Sequence, residues 1–294
     1  MCEIETMPVK FLDSGISRQD IRTRFGLQEY HLLSMEACNA LGSLRGQRVL
    51  EIGGSLPKGL VLDILQAKQW ISIEDFDYWN EIASDAQSTR PNQIDCKFAD
   101  APPPQSLPAH SVLRGKIEDL PATFSGQFDR IFSVACFEHI HNLGYALEKM
   151  HESLKSEGNL FSIFSPIWSA HNGNHLPLVT DQKGSSFSFE EGKSPLFPWA
   201  HLMFSPPEMF QFLIKHTDSA TAGKMVYYIY HSPHINRLFC EDYISYFNHS
   251  KFSKLDYGEV DVHPVDPIII DRLKQRHPPY EKFTNNGMVI SLGK

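Results

Sequence analysis

The sequence predicts an α/β chain built on a doubly wound, mostly parallel sheet. Short apolar strands alternate with amphipathic helical segments through short connections between about residues 45 and 165. The first such strand runs into a glycine-rich turn, Gly53-Gly54-Ser55, of the kind that lets a backbone approach a ligand. Past Pro166 the composition changes, with 19 of the 34 aromatics and 9 of the 14 histidines lying in residues 166–294. The two stretches therefore have different tasks.

Taken in order, helical signals come first, at Ser17 to Arg24 and Leu27 to Leu41, with Ser17 placed as an N-cap. Arg48 to Ile52 is the first strand. Pro57 to Gln69 reads as a helix with proline in its first turn, where a missing N–H costs nothing. Trp70 to Glu74 is the next strand and Tyr78 to Ala86 a helix, while Pro102-Pro103-Pro104 marks a stiff loop. Ser111 to Arg114 and Phe128 to Val134 are strands, Leu143 to Leu154 is a helix, and Asn159 to Phe164 is the fifth strand. In such a sheet the ligand lies at the carboxyl ends of the first strands.

The formal charge of −8 from 27 Lys+Arg and 35 Asp+Glu argues against a surface built to neutralise a phosphate backbone, so no nucleic-acid partner is expected. Protonating the 14 histidines would reverse that sign. The acidic start Met1-Cys2-Glu3-Ile4-Glu5 is unlike a signal peptide, and no stretch has the roughly 18 apolar residues of a membrane span. A cytoplasmic location is expected. Five scattered cysteines without a CxxC pair fit reduced thiols.

The turn after the first strand narrows the ligand. A dinucleotide fingerprint from Gly53 would need glycine where the chain has Ser55 and Lys58, and a P-loop would need Ser or Thr after Lys58, where Gly59 stands. What remains is an acidic residue ending a strand, small residues, and Glu74 ending the next strand. A carboxylate there can accept two hydrogen bonds from a ribose diol, with no pyrophosphate cradle required.

At these residues the chain resembles the class I S-adenosylmethionine-dependent methyltransferases, of the type 11 pattern. The resemblance rests on Val49-Leu50-Glu51-Ile52-Gly53-Gly54-Ser55, Ile71-Ser72-Ile73-Glu74, Gly115 to Pro121, and Phe128 to Ser133 running into Phe137-Glu138-His139-Ile140. The helix and fifth strand that follow extend it to about residue 165. It implies a seven-stranded Rossmann-like sheet closed by an antiparallel pair, here Lys254 to Val262 and Gly287 to Leu292.

It also implies S-adenosylmethionine as methyl donor and a set of binding positions. Glu51 and Gly53, with Gly54 and Ser55, fall beside the methionine end. Glu74, with Asp75 adjacent, falls at the ribose; Ile117 and Glu118 frame the adenine, with Asp119 the alternative to Glu118; Val134, Ala135 and Cys136 form the floor. Two positions depart from the family pattern: Ser55 stands for its third glycine, and Lys116 for an aspartate. Ser55 is compatible if its φ is negative and its hydroxyl caps the following helix.

Transfer from a sulfonium needs the acceptor close and in line, and a hydroxyl acceptor gains from a base of near-neutral pKa, which points to histidine. The candidates are His139 after the fourth strand, beside His141, and His171 and His175 after the fifth. Trp168, Asn172, Trp199 and His201 are expected in the substrate pocket. No metal is expected: Asn172-Gly173-Asn174 makes the His171–His175 stretch a loop, and Ala135-Cys136-Phe137 stands where metal-assisted relatives carry carboxylates. His277-Pro278-Pro279-Tyr280 lies too near the C-terminus to be an amine-methylation motif and reads as a turn.

The expected organisation is an N-terminal helical extension (1–44), a cofactor-binding core (45–165), a substrate cap inserted after the fifth strand (166–253) and the closing strands (254–294). In the cap, Ser205-Pro206-Pro207-Glu208 starts a helix, and Ile268 to Leu273 forms another folded back over the site. The tyrosines Tyr227, Tyr228, Tyr230, Tyr243 and Tyr246, with Phe247, read as core. The expected activity is methyl transfer to a hydroxyl, less readily an amine or carboxylate, of a small or medium molecule such as a sugar or specialised metabolite. The alternatives are a catalytically silent cofactor-binding or scaffold protein, motivated by Ser55 and Lys116, and a nicotinamide oxidoreductase, which the missing fingerprint disfavours.

Overall fold

A computed structural model describes residues 10–75, 96–190 and 192–294. The expected Tyr78 to Ala86 helix, and Cys2, lie outside these. Ten strands are described: β1 (Arg48–Ile52), β2 (Gln69–Glu74), β3 (Cys96–Lys97), β4 (His110–Arg114), β5 (Phe128–Val134), β6 (Leu154–Phe164), β7 (Val179–Thr180), β8 (Ser186–Phe187), β9 (Lys254–Val262) and β10 (Asn285–Gly293). Eight form one sheet in the order β3-β4-β2-β1-β5-β6-β10-β9, and β7 and β8 form a small antiparallel pair.

The pairings from β3 through β6 are parallel, and β10 runs antiparallel to both β6 and β9. The fold class is thus the expected one. The sheet has one strand more than anticipated because the two-residue β3 adds an edge beside β4. The order in which strands are added to the sheet reverses about β1, whose parallel neighbours β2 and β5 lie on either side, so its carboxyl end opens at a topological switch point.

The helices are α1 (Arg18–Phe25), α2 (Glu29–Ala40), α3 (Leu143–Ser153), α4 (Ala200–Met203), α5 (Pro206–Leu213), α6 (Ser219–Tyr230), α7 (Cys240–Asn248) and α8 (Pro267–Arg276). Ser17 caps α1, accepting the Asp20 amide at 3.1 Å. Ser205 and Glu208 form a capping box at α5, which begins Pro-Pro as expected.

The expected Pro57 to Gln69 helix is shorter and looser. It is a π-helical turn, Gly59–Ile64, followed by Gln66 at φ 55, which ends it and leaves Gln69 free to begin β2. No side chain caps this turn, so Ser55 lacks the expected capping role; Ser55 is not among the residues at positive φ.

One apolar cluster packs α3 and α7 against the sheet through Leu147, Met150, Tyr243 and Phe247. Another holds α1, α2 and the π-helical turn through Ile21, Leu32, Met35 and Leu60. Arg130 of β5, 2 % exposed, anchors α2 by donating to the carbonyls of Cys38 and Gly42, each at 3.1 Å. A guanidinium at a helix C-terminus satisfies orphan carbonyls and opposes the negative end of the dipole.

A third cluster lies in residues 168–283, joining Trp168, Trp199, Met225, Tyr228 and Leu273. Here α8 buries Leu273 rather than lying over the cleft described below, because its apolar side chains find partners in that aromatic core. Tyr228, Tyr243 and Phe247 are buried as expected, whereas Tyr227 and Tyr246 are exposed. Cys38, Cys96, Cys136 and Cys240 are free thiols. Among the described residues no helix is long and apolar enough to cross a membrane.

Candidate active site

A cleft of about 1330 Å³ runs along the carboxyl edge of the sheet, from the loop after β4 to the loop after β6. That exceeds the usual volume of a single small-ligand pocket and leaves room for two molecules. Gly53, Gly54 and Ser55 line it after β1, Glu74 and Asp75 after β2, Ile117 and Glu118 after β4, and Val134 and Ala135 after β5. His139, Asn172 and His175 line it further along. Asp119, the alternative to Glu118, is not on the wall.

The glycines are required by geometry. Gly53 sits at φ +79, and a Cβ there would meet Cys136 Sγ at 2.2 Å. A Cβ on Gly54 would meet Glu51 Oε1 at 2.6 Å, and one on Gly115 the Phe98 ring at 2.3 Å. The amide of Gly53 donates to the Ile73 carbonyl at 2.9 Å, joining the turn to β2 just before Glu74.

Glu51 is not on the wall of the cleft, which corrects the expectation that it faces the methionine end. Its buried carboxylate accepts from the Leu56 amide at 3.0 Å, the Trp70 indole at 2.7 Å and the Ser72 hydroxyl at 2.6 Å. Burial raises its pKa, and these three donors pull it back down. Glu51 therefore ties the glycine turn to β2, a task for an acceptor-only side chain in a closed ring of donors. His110 Nε2 contacts the Leu56 carbonyl at 2.9 Å on the same turn.

Glu74 is 4 % exposed, ends β2 and lies opposite Arg114 in the register with β4. Lys116, the departure from the family pattern, stands 3.8 Å from Asp75 in a half-exposed ion pair at the rim. Ala135 takes φ 49 immediately after β5, and His175 takes φ 45. Backbone strain of this kind is held by surrounding structure and clusters where function needs it.

Beyond β5 the cleft is histidine-rich. His139 and His175 meet edge to face with ring centroids 5.3 Å apart. His139 Nδ1 contacts the His234 carbonyl, and His234 Nε2 contacts the His175 carbonyl at 2.8 Å. A ring nitrogen facing a carbonyl must carry the proton, so His139 presents its lone pair at Nε2. Burial pushes the His139 imidazole down to about 4 and His175 well below its ordinary value, so both rings are neutral at neutral pH. Glu138, 1 % exposed, is pushed up to about 8 by burial, against hydrogen bonds from its own amide and that of Ser165.

Four of the expected positions lie elsewhere. His171 stacks on His263 at 4.0 Å and does not line the cleft. Trp168, Trp199 and His201 are buried in the aromatic core: Trp199 Nε1 donates to the carbonyls of Ser169 and Phe283, and His201 Nε2 to that of Trp168 at 2.8 Å. Burial pushes His201 down to about 4. The corrections share one cause: the aromatic rings of the 166–204 stretch pack on one another and on the β10 approach, and large rings gain more from that burial than from a wet cleft.

Sequence reasoning also missed wall residues. Tyr30, His31 and Ser34 of α2 reach the cleft from the N-terminal extension, and Phe189 and His234 reach it from the cap. Glu138 carried a legible signal, a lone carboxylate in the apolar run Cys136-Phe137-Glu138-His139-Ile140.

An open parallel sheet with a glycine turn after β1, a carboxylate at the end of β2 and a cleft spanning the switch point defines a nucleoside-cofactor enzyme of the class I methyltransferase type. Residues 50–162 match the family described as methyltransferase domain, which makes that stretch the catalytic domain of an S-adenosylmethionine-dependent methyltransferase, with S-adenosylmethionine as methyl donor.

Solved structures similar to the chain include an S-adenosylmethionine-dependent methyltransferase from Mesorhizobium loti, at 12% identity over 88% of this chain and 96% of that one, TM-score 0.43. Another is from Archaeoglobus fulgidus, at 10% identity over 94% and 99%, TM-score 0.42. A third is phosphoethanolamine N-methyltransferase 2 of Haemonchus contortus in complex with S-adenosyl-L-methionine, at 9% identity over 92% and 53%, TM-score 0.44. No curated protein matches the chain.

Proposed function

We propose that the enzyme methylates a hydroxyl group of a small or medium organic molecule, and that the cleft is divided between donor and acceptor along the sheet edge. The observation that carries this reading is the sequence of groups along the cleft: glycines and Glu74 on the β1 and β2 side, neutral histidines on the β5 and β6 side. S-adenosylmethionine would supply an already activated methyl group.

The chain's own residues would do the rest. Gly53 and Gly54 would bring bare backbone against the methionine end, Glu74 would accept from the ribose hydroxyls, and Ile117 and Glu118 would frame the adenine. The floor would be Val134 and Ala135, held in place by the Ala135 amide on the Ile163 carbonyl at 2.9 Å. Holding reacting atoms close and collinear supplies on the order of 7–11 kcal/mol.

At the acceptor side, His139 and His175 would orient the hydroxyl and take its proton, with Asn172 beside them. Burial keeps both rings neutral, the form a base requires, but it also makes them weaker bases than the near-neutral histidine expected from the sequence, so orienting the hydroxyl through an accepted hydrogen bond would be the larger part of their role. Residues 166–253 would act as the substrate cap, contributing Asn172, His175, Phe189 and His234 to the wall.

The test is a screen of hydroxyl, amine and carboxylate acceptors with methyl-labelled S-adenosylmethionine. Label on an alcohol oxygen is expected. Turnover confined to amines would overturn the hydroxyl assignment, and absence of S-adenosylmethionine binding by calorimetry would overturn the division of the cleft.

A further inference from the structure

The side chains of Glu138, His139 and His175 converge at the acceptor end of the cleft. One ligand atom from each lies within 4.8 Å of the others. Glu138 is buried, yet its Oε2 makes no hydrogen bond, which is costly for a carboxyl oxygen unless something else fills the position.

The two imidazoles are held in the orientation a metal ligand needs. His139 Nδ1–H donates to the His234 carbonyl, and His175 Nδ1 lies 3.4 Å from the Gly173 carbonyl, so both rings direct Nε2 lone pairs away from the backbone. A backbone carbonyl on the other ring nitrogen is the common outer support of metal-bound histidine. His234 also donates Nε2–H to the His175 carbonyl at 2.8 Å, so one residue braces the His139 ring and the His175 backbone. Ligand atoms around a tetrahedral ion at about 2.0–2.2 Å stand roughly 3.3–3.6 Å apart, so the three side chains, whose ligand atoms lie within 4.8 Å of one another, would draw together on binding.

We propose that Glu138, His139 and His175 form a three-ligand site for a divalent transition ion of the zinc type, with its remaining coordination positions open to the cleft. Two nitrogens and one carboxylate suit zinc or cobalt rather than magnesium or calcium, which take oxygen ligands. The open positions would receive an oxygen of the methyl acceptor, lowering the pKa of a bound hydroxyl. Where the ion is bound it would occupy the Nε2 lone pairs of His139 and His175 and so replace, rather than assist, their proton-accepting role; that use rests on the location of the acceptor end given above, and the ion site itself does not.

The test uses full-length chain stripped with a chelator and titrated with Co²⁺, followed by visible absorption. Binding of one equivalent with a ligand-field band is expected, displaced by Zn²⁺. Glu138→Gln and His175→Gln should each weaken Co²⁺ binding at least tenfold while S-adenosylmethionine affinity, measured by calorimetry, stays near wild type.

A second readout needs no variant: Zn²⁺ should shift the ¹⁵N resonances of His139 and His175 at Nε2 and leave that of His263 in place. No one-equivalent binding, or binding unchanged in folded variants, would overturn the site. Intact Co²⁺ binding with no S-adenosylmethionine binding would instead sink the methyl-donor assignment and leave the ion site standing.

Discussion

His234 braces His139 and His175 at once: its carbonyl faces the ring of His139, and its own ring donates to the backbone of His175 at 2.8 Å. The loop after β5 and the loop after β6 are thereby joined by a residue that follows α6, and the acceptor end of the cleft acquires a fixed wall. The His175 carbonyl fixes the His234 proton on Nε2, leaving Nδ1 to accept from the Ser232 hydroxyl, 2.9 Å away.

This arrangement separates the two histidines of the loop after β6. His175→Ala should lower turnover by about 10²–10⁴-fold with S-adenosylmethionine affinity held, because a positioned proton acceptor contributes on that scale. His171→Ala should leave turnover near wild type, since His171 faces His263 and Trp199 instead of the cleft. Steady-state kinetics on the acceptor found by the screen measure both, and equal losses would return His171 to the site.

Glu74→Ala should weaken S-adenosylmethionine binding by roughly 10–100-fold, the size of a charge-assisted pair of hydrogen bonds. Calorimetric titration reads the effect. An unchanged dissociation constant would remove Glu74 from the ribose.

Gly53→Ala should be far worse than Gly15→Ala, although the two glycines have nearly the same φ, +79 and +74. At Gly15 nothing lies within 4 Å of the added carbon, so only the left-handed strain of about 1–2 kcal/mol applies. At Gly53 the carbon also meets Cys136 Sγ at 2.2 Å, and overpacking adds about 1–3 kcal/mol. Urea unfolding of the two variants compares them directly; equal midpoints would show that the turn yields.

Acid should destabilise the fold partly through His201. Its folded value of about 4 lies below the ordinary 6.5, so between these values the unfolded chain holds a proton that the folded chain does not. Stability from this group is complete above about pH 6.5 and is lost as pH falls toward 4, on the order of 3 kcal/mol in all. His201→Gln, which keeps a donor for the Trp168 carbonyl, should flatten the acid limb of the unfolding profile. A limb as steep as wild type would show that His201 is protonated in the folded state.

Much of the fold was legible because local periodicity carries it. Phe128–Val134 and Lys254–Val262 occupy the expected ranges, and Ser17 caps the helix it was expected to cap. Proline placement and strand alternation are short-range properties, readable within a few residues. The π-helical turn at Gly59–Ile64 was not legible, since its shortening reflects packing of Leu60 and Val61 beneath the sheet.

The site divides in the same way. By itself the sequence determined the sheet, the glycine turn and the carboxylate at the end of β2, because each belongs to one strand and the turn that follows it. Only the tertiary structure decided which side chains face the cleft. It turned Glu51 inward to a ring of donors, sent Trp199 and His201 into an aromatic core, and brought His234 back across the sheet edge to His139 and His175. Direction and burial depend on what packs on the far side of a residue, and those neighbours come from distant parts of the chain.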